Sequence, residues 1–143
     1  MEEAVSRLLR EVKVRTPQGA SGAKGGLMST IQKDIIEKGT PAVKGVVATD
    51  SIYGLAVEKG RRPGKWPPGG KGSKERPILA WVKHRFGVSG STADRMEYLV
   101  RRKIGEQGTE GVFMFEQAIE ENFKDIQKIF ERYGLRLVRE LEK

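Results

Sequence analysis

The sequence predicts an α+β domain: a small antiparallel sheet of about three to four strands, helices packed on one of its faces, and a long basic loop rich in Pro and Gly. Three observations predict it. Short runs with β-branched residues fall between residues 27 and 60, apolar residues recur at helical spacing after residue 77, and "EKGRRPGKWPPGGKGSKERP" (58–77) separates the two regions. At 143 residues the chain is expected to be one domain, with 61–76 as the extended loop and 134–143 as a short C-terminal helical extension.

Ala4, Val5, Leu8, Leu9 and Val12 predict an amphipathic helix over 2–14, stopped by Thr16-Pro17. "QGASGAKGG" (18–26) reads as a loop. "LMSTIQKDIIEKG" places Leu27, Ile31 and Ile35 four apart, and Ser29, Thr30 and the β-branched positions favour a strand. A turn at "GTP" (39–41) leads into two more strands, "AVKGVVATD" (42–50) and "IYGLAVEKG" (52–60).

Beyond the loop, Pro77 suits a first helical turn, and Ile78, Trp81, Val82 and Phe86 form the apolar face of a helix ended by Gly87. Ser91 or Thr92 caps the next helix, with Met96, Leu99, Val100 and Ile104 facing inward. A loop over 106–111 precedes a third helix, about 113–133, whose stripe holds Phe115, Ala118, Ile119, Phe123, Ile126, Ile129, Phe130 and Tyr133. That stripe is the expected cover of the sheet, and burying Phe115, Ile119, Ile126 and Phe130 would contribute roughly 1.5–3 kcal/mol each. Gly134 is expected to interrupt the helix before a last short one carrying Leu135, Val138 and Leu141.

Charge singles out one region. Residues 59–85 hold nine Lys and Arg against Glu75, a net +8 that equals the charge of the whole chain, so the rest of the sequence is balanced. Its Pro63, Pro67 and Pro68 cannot donate to a sheet ladder, which rules out an interior strand. A long segment without secondary structure is usually functional or disordered. Trp66, Arg61 and Arg62 are residue types that dominate interface hot spots, which suggests an arm that orders against a neighbour.

Other chemistries fare worse. The chain has no Cys, which excludes disulfides and thiolate metal sites. His84, the single histidine, stands between Lys83 and Arg85 and reads as a solvated side chain, so no triad or histidine metal site is expected. "GGKGSKE" puts Gly72 where a phosphate-binding loop needs Ser or Thr after its Lys, and no acid pair has catalytic spacing. The expectation is a protein without enzymatic activity or cofactor. No apolar run reaches the length of a membrane span and the acidic N-terminus is unlike a secretory signal, which points to synthesis in a cytoplasm and no membrane partner. Nine cations around Trp66 also suit a free-standing nucleic-acid-binding protein, although no zinc finger, helix–turn–helix or aromatic sheet motif accompanies them.

The order of several motifs resembles a family of tail-completion or head–tail joining proteins (neck and minor tail proteins) of tailed double-stranded-DNA bacteriophages. "TPQGASGAKGGLMSTI" is similar to the family's Pro…Thr/Ser-Gly-x-Leu…Ser-Ile stretch, and Tyr53-Gly54-Leu55-Ala56-Val57-Glu58-Lys59-Gly60 to its Tyr-Ala…Val-Glu-x-Gly. Arg62-Pro63 and Trp66-Pro67-Pro68 match an Arg-Pro-rich segment, "ILAWVKHRFG" a Trp-Val helix, and "VRRKIGEQGTEGVFMFEQAI" the close of the family's pattern. The likeness spans about residues 13–125; the glycines and lysines at 69–74 and Gly54 in place of Ala depart from it.

The resemblance implies a structural virion protein, assembled in the host bacterial cytoplasm into a homo-oligomeric ring at the neck, where the tail is completed and joined to the head. Six or twelve copies would match the symmetry of a tail or a connector. Its partners would be itself, neighbouring neck, connector, tail-tube or tail-terminator proteins, and packaged DNA non-specifically. Glu58, Gly60, Arg61, Arg62, Pro63, Trp66, Pro67 and Pro68 are then expected at a protein interface, and Lys65, Lys71, Lys74 and Arg76 are the candidates to face DNA.

Overall fold

The computed structural model describes residues 1–17, 26–39, 43–51 and 53–142, apart from the side chain of residue 137. Residues 18–25 of the loop read at 18–26, residues 40 and 41 of the turn, and residues 42 and 52 at the starts of the two strands read after it lie outside that set, as does residue 143. The fold class is α+β, with helices and one two-stranded antiparallel sheet. The chain forms two compact units that interleave in sequence: Met1–Thr16, Ile31–Asp50 and Met114–Lys143 make the first, Pro17–Thr30 and Ser51–Phe113 the second.

In the first unit, helix α1 (Glu2–Arg15) packs against strands β1 (Ile31–Ile36) and β2 (Lys44–Thr49) and against the long helix α6 (Met114–Leu141). The strands pair antiparallel from Ile31 opposite Thr49 to Ile36 opposite Lys44. Ala4, Val5, Val12, Ile31, Met114, Ala118 and Ile129 form the buried apolar core. Asn122 is also buried; its amide donates to the Ala118 carbonyl (3.0 Å) while its Oδ1 accepts from Arg7 Nε (3.2 Å). Arg7 also reaches Asp125 (2.5 Å), Arg15 pairs with Glu11 and Glu121, and Arg132 binds Glu3. These partners run α1 and α6 antiparallel, with the start of α1 level with Tyr133 and its end level with Met114.

The cover of the sheet therefore differs from expectation. It is α1 that packs on both strands, and the α6 face in the core is Met114, Ala118, Asn122 and Ile129. The aromatic stripe beside it is left open: Ile119, Phe123, Phe130 and Tyr133 are exposed, while Phe115 and Ile126 are half-buried. Helical periodicity locates an apolar stripe without saying which neighbour takes it. The small and polar residues Ala118 and Asn122 allow the close approach of α1 that bulky aromatics would prevent.

Three local assignments also change. Residues 27–30 form a single helical turn, α2 (Leu27–Thr30), in which Ser29 Oγ donates to the Gly26 carbonyl (2.7 Å) and Thr30 Oγ1 to that of Leu27 (2.8 Å). Such hydroxyl-to-backbone bonds compete with a strand ladder. Residues 54–59, read as a strand, form helix α3 (Gly54–Lys59). Leu55, Ala56, Glu58 and Lys59 are good helix formers and outweigh the single β-branched Val57. Finally, α6 passes through Gly134 without a break, although an interior Gly costs about 1 kcal/mol against Ala. The Glu3 contacts to Arg132 and Tyr133 hold the helix at the turn just before it.

Candidate assembly arm and its seat

The second unit contains α3, helix α4 (Pro77–Phe86), helix α5 (Gly90–Gln107) and the basic segment between α3 and α4. Pro77 opens α4 as expected, and Gly87 in the left-handed conformation closes it. Of the apolar face predicted for α4, Val82 is buried, whereas Trp81 and Phe86 are exposed and meet edge to face at 5.6 Å.

The arm begins where two backbones run side by side. Arg61 and Thr109 exchange both N–H···O bonds at 2.9 Å, Val112 N–H donates to the Val57 carbonyl (2.8 Å), and Phe113 N–H to that of Glu58 (3.0 Å). The carbonyls left open at the end of α3 are satisfied in this way. Gly60 sits at the junction with φ 75°, and a Cβ there would stand 2.2 Å from the Thr109 carbonyl oxygen, so no other residue fits. Glu58 and Gly60 thus stand where the arm leaves α3.

From there the arm lies along one stripe of α5. Asp94, Glu97, Arg101 and Gly105 recur at steps of three and four and share a helix face, with Tyr98 beside them, one turn before Arg101. Gly64 N–H donates to the Gly105 carbonyl (2.7 Å). Trp66 rests on Gly105, where an added Cβ would be 2.6 Å from the indole Cδ1. Tyr98 tilts against the same indole at 5.8 Å between centroids, and the Arg101 guanidinium lies 5.7 Å from its centre. Arg101 Nε also donates to the Pro67 carbonyl (3.0 Å), and Pro67 is buried.

The far end is held by charge. Glu97, only 1% exposed, accepts from the Gly70 N–H (3.2 Å), from Arg76 Nε (3.0 Å) and from a second Arg76 nitrogen, which also donates to Asp94 (2.5 Å). Burial works against the charged form of Glu97, but the hydrogen bonds from Arg76 and Gly70 and the charges of Arg76 and Arg101 outweigh it, so its carboxyl titrates below the usual range. The hydrogen bonds to Glu97 and Asp94 push the Arg76 pKa upward in turn. The clamp borders an open cleft of about 360 Å³ that Lys71, Arg95 and Arg101 also line.

The arm is therefore ordered by its own chain and not solely by a neighbour. Trp66, Pro67 and Arg76 are its anchors; Trp66 keeps 44% of its surface exposed. Arg62, Pro63, Lys65, Pro68, Lys71 and Lys74 are exposed, and among the described residues none of these four cations makes an ion pair. Arg76, grouped with Lys65, Lys71 and Lys74 from sequence, differs from them because its charge is met by two carboxylates. Sequence reasoning missed the seat itself. It assigned Met96, Leu99, Val100 and Ile104 to the inner face of α5, yet Leu99 is 54% exposed while Ala93, Glu97 and Gly105 are buried. The spacing of Asp94, Glu97, Arg101 and Gly105 is the signal that would have found it.

His84 is exposed, and among the described residues no group of three or more His, Asp or Glu side chains is placed to hold a metal ion. No described helix is long and apolar enough to cross a membrane. No protein-family model, curated protein or solved structure matches the chain.

Proposed function

We propose that this chain is a structural assembly protein, a subunit of a ring at the neck of a tailed phage or related particle, which uses the arm at 61–74 to join its neighbours and does no bond-making. One observation carries the reading: a proline-stiffened arm clamped at Trp66–Pro67 and at Arg76 leaves Arg62, Lys65, Lys71 and Lys74 exposed, with no ion pair among the described residues. Pre-ordering of that kind removes much of the entropy cost that a free loop meets on docking. A ring requires heterologous contacts, in which one patch of a subunit meets a different patch of the next. The resemblance of the motif order to that of head–tail joining proteins supports the same reading.

The exposed faces of Trp66 and Tyr98 among these cations favour a second reading, a free-standing nucleic-acid-binding protein that stacks bases on the aromatic pair. Filter binding of the purified chain to single- and double-stranded DNA at 50 and 200 mM salt separates the two. The assembly reading expects weak, sequence-independent binding lost at the higher salt, as phosphate neutralisation by about four cations requires. Retention at 200 mM salt, with a loss on Trp66→Ala, would favour the second.

A further inference from the structure

The open stripe of α6 has a regularity that a solvent-facing surface does not need. Ile119, Phe123, Ile126, Phe130 and Tyr133 follow one another at steps of four, three, four and three, the spacing of a helix that packs along another helix. None of the four end members is in the core; Phe123 is 61% exposed, Ile119 46%, Phe130 42% and Tyr133 40%. At roughly 150–250 Å² for a whole aromatic side chain, the stripe leaves on the order of 400 Å² of apolar surface open. That equals the largest patches on ordinary monomers, which are often interaction sites. Helix α1 begins level with Tyr133, so the last two turns of α6, beyond that point, also lack its support.

Charge identifies the occupant. The first half of α6, residues 114–127, carries four acids against Lys124, while residues 128–141 carry four bases against two acids. A second α6 laid parallel would set acid on acid and base on base. Laid antiparallel, each half meets its opposite. We propose that α6 is a self-association surface, and that two copies of this chain pair antiparallel through it about a two-fold axis level with Lys128. Phe123 then packs across from Tyr133 of the partner subunit, and Ile126 across from Phe130 of the partner subunit. The overhanging basic turns of each copy lie beside Glu116, Glu120 and Glu121 of the other. A helix of 28 residues, about 42 Å long, has room for the roughly 800 Å² per partner of a standard interface.

The pairing does not rest on the role of the arm, because the seam lies in the first unit and the arm in the second. It is isologous and leaves the head-to-tail contacts of a ring to other surfaces. Sedimentation equilibrium of the purified full chain from about 1 to 100 μM should give a species of twice 15.9 kDa. The double variant Phe123→Glu/Phe130→Glu should weaken that species at least 100-fold with its far-ultraviolet spectrum held, since both side chains are exposed in the single chain. Wild-type chain that stays monomeric across the range overturns the proposal, as does a dimer indifferent to the double variant.

If that variant proves unfolded, Phe123→Ser is the replacement, and the absence of Cys makes orientation measurable independently. Gln127→Cys, next to the axis, should form an intersubunit disulfide readily, whereas Glu120→Cys should not. Equal cross-linking at the two positions would overturn the antiparallel arrangement.

Discussion

Glu97→Ala should release the arm and lower stability by roughly 1–3 kcal/mol, several degrees in melting temperature. Glu97 is the one buried acid of α5 and, among the described residues, bonds both ends of the arm's last bend, the Gly70 N–H and the Arg76 guanidinium. Truncation leaves the Gly70 donor and part of the Arg76 fork without an acceptor. Hydrogen exchange should then speed up over residues 66–76 more than over α1 or β1, which belong to the other unit. Acid should act in the same direction. The folded carboxyl titrates below its ordinary value near 4.5, so its stabilisation is complete above that value and is lost as pH falls through the lower folded value. The stability gap between wild type and Glu97→Gln should therefore be widest above the ordinary carboxylate range and close only as the pH falls through the lower folded value. A gap independent of pH would mean that the Arg76 clamp contributes nothing.

Neutralising Arg62, Lys65, Lys71 and Lys74 together to Gln should leave the melting temperature within about 1 °C of wild type, because all four are exposed and make no ion pair among the described residues. On the proposed assembly role, the same variant should fail to complete particles when it replaces the wild-type chain during assembly, reducing infectious yield by at least 100-fold. This separation of stability from assembly is cleaner than deletion of 61–74, which would also remove the Arg61–Thr109 pairing and the Trp66 seat. A variant that assembled normally would take these four cations out of the contact. One that unfolded would make them structural.

The parts of the fold that could be read from sequence were those with one strong local signal. Helix α1 had Thr16-Pro17 to end it, α4 had Pro77 and Gly87 at its two ends, and β2 had a β-branched run between turns. What could not be read depended on a partner distant in sequence. Helix α3 is completed by donors from Val112 and Phe113, some fifty residues on. The seat of the arm depends on a buried acid and a glycine, Glu97 and Gly105, where pattern reading looks for apolar residues. The aromatic stripe of α6 was visible as a stripe, but periodicity is equally strong for a face packed in the core and for one that awaits another subunit. The charge cluster was plain; that Arg76 belongs to the clamp and Lys65, Lys71 and Lys74 to the surface is a matter of which cations the fold sets beside carboxylates.

The proposed assembly role is tested most directly by a photoreactive residue placed at Lys65 or at Lys71 in otherwise intact particles, which reports what the arm touches. On irradiation, covalent products joining this chain to another copy of itself or to an adjacent particle protein are expected from both positions, and they should vanish in dissociated subunits. Products confined to single chains of 15.9 kDa, with the particle fully assembled, would contradict a docking role for the arm.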